Sequence, residues 1–86
     1  MKSNDPNEIT PAQIRAARAL VKLSADDLAD RAKVGIATIR RAESDNGPKT
    51  SAVVLNALRH ALEAAGVEFL AVDNGGPGVR LKTREN

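Results

Sequence analysis

From residue 10 to residue 66 the apolar positions recur at three- and four-residue intervals, the period of helices packed on one side; from Val67 they alternate, the period of a strand. Residues 1–9 show neither period: they are polar, include Pro6 and read as a disordered arm. Thr10-Pro11-Ala12-Gln13 starts a first helix, with Thr10 as cap, Pro11 at the first helical position and Gln13 completing a capping box. This helix runs to Lys22 and puts Ile14, Ala17 and Val21 on one face with Leu20 at its edge, while Arg15, Arg18 and Lys22 share another. Ser24 opens a second helix to about Ala32. Asp27 stands at its capping-box position, Asp26 suits the helix dipole, and Leu28, Ala29 and Ala32 face inward. The pattern breaks at Gly35 or its neighbour. A third helix follows from Ile36 to about Ser44 with Ile39 and Ala42 inward, and Asp45-Asn46-Gly47-Pro48 ends it. The fourth, capped by Thr50 or Ser51, carries Val54, Leu55, Leu58, Ala61, Leu62 and Ala65 inward and stops at Gly66, where a left-handed C-cap belongs.

Beyond Gly66, Val67, Phe69 and Ala71 alternate with Glu68, Leu70 and Val72, and residues 73–78 make a turn. Val79-Arg80-Leu81-Lys82 then alternates again. The pattern predicts a β-hairpin over residues 67–82 with Val67, Phe69, Val79 and Leu81 on its apolar face. A lone hairpin is marginal in water, so it must dock on the helices or pair with another copy. The four apolar residues are thus either a flap over the core or a dimer or partner interface, since an unpaired edge strand is a template for another strand. Residues 83–86 read as a disordered tail. The fold class is mainly α: four helices in one domain at 10–66, then a short C-terminal hairpin.

Composition narrows the function classes. The chain has 86 residues, enough for one small domain, and Phe69 is its only aromatic, so the core must be aliphatic. There is no cysteine, which removes disulfides and thiolate metal sites. No apolar run approaches the ~18–20 residues of a membrane span, and the start MKSNDPNEI lacks an apolar signal core; a soluble, cytoplasmic protein is expected. His60 has no second His or Cys to work with and reads as a surface residue. The run "DNGGPG" lacks the Lys-Ser/Thr ending of a phosphate loop and precedes a strand, so it reads as a hairpin turn. Asp26, Asp27 and Asp30 lie near a helix start, and a catalytic pair would need a pocket this chain is too small to enclose; no enzyme and no cofactor are expected. The net charge of +2 is weak evidence for a polyanionic partner, but positive charge gathers at Arg15, Arg18 and Lys22, then at Arg40 and Arg41, then at Arg80, Lys82 and Arg84.

The stretch "LSADDLADRAKVGIATIRRAE" carries the functional signal. Leu28 and Ala29 sit on its first helix, Ala29 is small where the two helices cross, Val34 fills the turn, and Ile39 anchors the second helix. With a helix before and a helix after, it resembles the Xre/Cro/phage-repressor (lambda-repressor-like) family of helix-turn-helix DNA-binding domains. The resemblance spans roughly residues 10–66 and is specific across 23–43; "AGVEFLAVDNGGPGVRLK" is similar to the short C-terminal extension of small bacterial members. It implies that the helix at 36–44 is a recognition helix lying in the major groove. Ile36, Ala37 and Arg41 would face base edges, and Arg40 bases or flanking phosphate. Thr38 and the backbone near Gly35 would approach a phosphate. Lys49 is a further phosphate candidate or a plain surface lysine, and Arg15, Arg18 and Lys22 are open to the same two readings.

Three positions depart from the family pattern. Lys33 stands where Gly is usual, so a non-glycine must take a left-handed backbone. Ala25 replaces a Gln that often holds the DNA backbone. Ile36 and Ala37 reach a thymine methyl without offering hydrogen bonds, which leaves Arg41 and Arg40 as the main readers. A bidentate Arg–guanine pair discriminates by roughly 1–3 kcal/mol. One or two per monomer do not select a genomic site, so a symmetric dimer with half-sites ~34 Å apart is expected. The expected function is a sequence-specific transcriptional regulator, most simply a repressor on a palindromic operator. Its partners would be double-stranded DNA and a second copy, with no membrane and no small-molecule ligand. The alternative is a protein-binding antiactivator or antitoxin-like module that captures another transcription factor. The apolar start of the third helix, the free arm and the strand edges motivate it.

Overall fold

The computed structural model describes residues 8–71 and 75–82. Among them the chain forms α1 (Pro11–Val21), α2 (Ala25–Ala32), α3 (Ile36–Ala42), α4 (Ala52–Ala64), β1 (Val67–Leu70) and β2 (Gly78–Leu81). The mainly α architecture with a C-terminal antiparallel hairpin agrees with the periodicity. No helix among the described residues is long and apolar enough to cross a membrane.

Local chemistry sets most of the boundaries. At the start of α1 the Thr10 N–H donates to Gln13 Oε1 at 2.8 Å and the Gln13 N–H to Thr10 Oγ1 at 3.1 Å. Ser24 and Asp27 make the same reciprocal box on α2, at 3.1 and 3.0 Å. These bonds hold the Asp27 carboxyl below its ordinary pKa, because they favour the charged form. Ser51, not Thr50, caps α4 through a bond from the Val54 N–H at 3.3 Å. Two helices end in left-handed residues that are not glycine: Lys22 (φ 59°) after α1 and Lys33 (φ 61°) after α2. Gly66, with φ 113°, turns the chain from α4 into β1. α3 stops at Ala42, two residues before the expected end near Ser44, with Glu43 as its C-cap.

Every helix contributes to one aliphatic core: Ile14 and Ala17 from α1, Leu28 and Ala29 from α2, Ile39 and Ala42 from α3, and Leu55, Leu58 and Leu62 from α4. Ile9, which the pattern assigns to the arm, is only 5% exposed and belongs to this core. The ordered part therefore begins before the helix cap, and Glu8 also takes part through an ion pair to Lys49 at 3.3 Å. Otherwise the expected disordered arm falls on residues 1–7, outside the described residues, as does the expected tail at 83–86.

The hairpin docks on the helices. Its register pairs Val67 with Leu81 and Phe69 with Val79, which puts these four on one face. Val67 is fully buried in the core, and Phe69 and Val79 pack against it. Of the four interface candidates, Val67 thus has no surface to offer a partner, Phe69 and Val79 are committed inward, and Leu81 alone is exposed, at 52%. On its inner face the hairpin covers the helical core. Its tie to α1 is Gln13, whose side-chain amide donates to the Leu70 carbonyl at 3.1 Å and the Gly78 carbonyl at 2.9 Å. From α4, the Arg59 guanidinium lies 5.5 Å from the centre of the Phe69 ring. In the connection, a Cβ at Gly76 would fall 1.6 Å from the Ala71 carbonyl oxygen, so this position admits only glycine.

Candidate nucleic-acid interface

α2, the turn and α3 form a compact unit. The Lys33 N–H donates to the Asp30 carbonyl at 3.3 Å and the Val34 N–H to the Ala29 carbonyl at 3.0 Å, so the backbone doubles back after one left-handed residue. Gly35 is the N-cap of α3 in extended backbone (φ −75°, ψ 158°), with no side-chain cap bond. Its carbonyl accepts from Thr38 and Ile39. Ile39 and Ala42 face into the core, and Val34 and Ile36 pack against it.

What α3 leaves outside is small and basic. Ala37, Arg40 and Arg41 are exposed, Thr38 is half-buried, and Gly35 is exposed at the helix start. The side chains of Arg40 and Arg41 make no hydrogen bond or ion pair with any described residue. The structure therefore brings Gly35, Ala37, Thr38, Arg40 and Arg41 together around one short helix. Ile36 is only half-available, because it also packs against the core; Ala37 is the more accessible apolar side chain. Lys49 lies beyond the α3–α4 turn with its ammonium on Glu8.

Among the other described arginines, Arg31 on α2 is exposed like Arg40 and Arg41, and the rest pair within the molecule. Arg18 donates from Nε to Glu43 at 2.6 Å and from its second terminal nitrogen to the other carboxylate oxygen at 3.0 Å. Its remaining nitrogen reaches the Leu23 carbonyl at 3.0 Å. The two side chains are 23% and 11% exposed, and the Glu43 bond holds the Arg18 proton more tightly than usual. Arg15 donates to the Glu43 carbonyl and, at 3.4 Å, to Asp45. Two members of the basic stripe on α1 thus fasten the C-terminal end of α3 and do not form a free phosphate-binding face. Arg80 is bidentate on Glu68 and Arg59 pairs with Glu63.

The Arg18–Glu43 clamp, which fixes the end of α3, has no counterpart in the sequence reading. Arg18 was visible only as a member of the stripe, and Glu43 closed a helix without a distinguishing neighbour; nothing local links residues twenty-five apart in the chain. His60 lies exposed on α4, as expected. No family model and no curated protein matches the chain at a significant level.

Proposed function

We propose that the chain is a cytoplasmic, non-enzymatic regulator of transcription that binds double-stranded DNA by laying α3 in the major groove. It is most simply a repressor acting as a dimer on a two-fold symmetric operator. The observation that carries this reading is the contrast among the arginines. Those on α1, α4 and β2 are engaged within the molecule, whereas the side chains of Arg40 and Arg41 on α3, with Arg31 on the preceding α2, are exposed and make no ion pair with a described residue. Two adjacent guanidinium groups held by a buried helix back (Ile39 and Ala42) are a preorganised reader of guanine edges or phosphates. Ala37, one turn before Arg40 and Arg41, is small enough to admit a close approach and can touch a thymine methyl. The resemblance of residues 23–43 to the phage-repressor family supports the same placement.

The test is a gel-shift titration against the promoter region of the chain's own gene, at two salt concentrations and with excess random DNA. A shift that survives the competitor and weakens steeply with salt is expected, since each phosphate contact adds about −0.9 to the slope of log K against log salt. R40A and R41A should each cost about 1–3 kcal/mol in specific binding, roughly fivefold to 150-fold in Kd. Unchanged DNA affinity in the double variant would sink the proposal in favour of a protein-capturing module.

A further inference from the structure

The connection between α3 and α4 carries Asn46-Gly47, and both residues are exposed in non-helical backbone. The Ser44 hydroxyl accepts from the Asn46 N–H at 3.2 Å, whereas the Gly47 N–H makes no hydrogen bond with any described residue. The Asn46 side-chain amide has no partner among them either. The fold does not require glycine here. Gly47 lies outside the left-handed region, and a Cβ built on it would meet Ser44 Oγ at 3.4 Å and the Arg41 carbonyl oxygen at 4.0 Å, ordinary contact distances. What the missing side chain does leave open is the Gly47 nitrogen, which a Cβ would shield from the asparagine before it. Asn56, the other asparagine among the described residues, is the opposite case: Ala57 follows it, with its N–H inside α4.

We infer that Asn46-Gly47 is a site of spontaneous deamidation, and that the carboxylate it creates weakens the hold of α3 on DNA. The Gly47 nitrogen, after losing its proton to water, attacks Asn46 Cγ. The new N–C bond closes a five-membered succinimide, and the side-chain nitrogen takes a proton and leaves as ammonia. Water then opens the ring at either carbonyl and gives aspartate or isoaspartate at residue 46. Nothing is oxidised or reduced; one water is consumed and one ammonia released. The 11 acidic residues become 12 against 13 Lys and Arg, so the net charge falls from +2 to +1.

The new charge arises just past Glu43, the C-cap of α3, at the negative end of that helix. Its neighbour Asp45 is already paired with Arg15 at 3.4 Å. Gly47 sits against the last turn of α3, as its approach to the Arg41 carbonyl shows. The Arg41 side chain has no partner among the described residues, so a carboxylate on residue 46 gives it an internal anion to bind in place of a phosphate or a guanine edge. The same carboxylate repels a nearby phosphate. Isoaspartate also lengthens the main chain of a connection whose Lys49 is fixed on Glu8. Ammonia is lost to bulk water, so the change runs one way and affinity falls with the age of the molecule. The effect on affinity rests on the reading of α3 as the DNA-binding helix; the modification itself does not.

The test is to hold the full chain for several days at physiological temperature, at neutral and at mildly alkaline pH, and to read its tryptic peptides by mass. Cleavage after Arg41 and Lys49 isolates residues 42–49, while Asn56 and Asn74 fall in other peptides. The 42–49 peptide should gain about 1 Da and split into aspartyl and isoaspartyl forms, faster at the higher pH. The peptide with Asn56 should stay unchanged. G47A should slow the conversion at least about tenfold with the far-UV circular dichroism unaltered, since its Cβ fits. A 42–49 segment that stays intact in the folded chain while the same segment converts as a free peptide overturns the site. So does a G47A chain that converts as fast as the unsubstituted one. For the effect on DNA, freshly purified N46D should bind the operator at least about threefold more weakly at low salt, and the gap should narrow as salt is raised. Equal affinity of N46D and the unsubstituted chain overturns that half of the inference. An unsubstituted chain that binds no operator is a failure of the DNA-binding proposal; it removes the effect on affinity with it and leaves the conversion of residues 42–49 as measured.

Discussion

Lys33 and Gly35 divide a task that a single glycine often performs. The turn between α2 and α3 needs one left-handed residue, and the chain places lysine there (φ 61°, ψ 46°). Gly35 follows in ordinary extended backbone, and a Cβ built on it would meet nothing within 4 Å. The glycine therefore marked the break in the sequence without being the residue that bends it. The position of Lys33 was legible only through the family pattern, which expects a glycine at that point. Lys22, in the same conformation after α1, had no such pointer and was not anticipated. A left-handed non-glycine costs about 1–2 kcal/mol, part of which glycine returns by loosening the unfolded chain. K33G should accordingly stabilise the protein by about 0.5–1 kcal/mol, read as a higher urea midpoint with an unchanged slope. A lower midpoint would mean that the Lys33 side chain makes a stabilising contribution larger than its backbone strain.

The caps, breaks and inward faces of the elements were legible because the bonds that create them span three or four residues, as in the Thr10–Gln13 and Ser24–Asp27 boxes. Contacts between elements were not. Gln13 caps α1, as its spacing predicted, but its amide also crosses to carbonyls fifty-seven and sixty-five positions away. Ile9 looked like part of a polar arm because its partners in the core are all distant in sequence. The largest such omission concerns α3, which at seven residues is too short to hold its own direction. Its back is fixed on α2 by Ile39 and Ala42, and its end on α1 by the Arg18–Glu43 clamp. E43Q removes the charge from a largely buried, bidentate pair and leaves Arg18 short of its partner. The expected loss is about 1–3 kcal/mol, discounted from the fully buried case for the remaining solvent access. Because the pair is mostly shielded, the loss should persist between 0.15 M and 1 M NaCl in urea unfolding. A loss that disappears at high salt would show the clamp to be an ordinary surface pair.

At the scale of the whole molecule, the question is whether helices and hairpin are one folding unit. A chain of 86 residues has a stability of only roughly 4–13 kcal/mol, so each fully buried aliphatic side chain is a sizeable fraction of it. Val67 lies on the hairpin yet is as buried as Ile14, Leu28, Ile39, Leu58 and Leu62, one for each helix and a second from α4. Leu81, its partner across the ladder, is half-exposed. The two positions share a strand pair, a face and an aliphatic character, and differ chiefly in what they touch. If the hairpin closes the helical core, V67A should cost about 1–3 kcal/mol, whereas L81A, measured at a concentration where the chain is monomeric, should cost a few tenths at most. The V67A loss should appear in the helical signal at 222 nm, which reports residues 10–66, and the unfolding should remain a single transition because the hairpin has no stability of its own. An unmoved helical transition in V67A, or two separate transitions, would make the hairpin an appendage. It would then be free to swing away from α1 and α4, and the fixed placement of β2 relative to α1 would be lost with it.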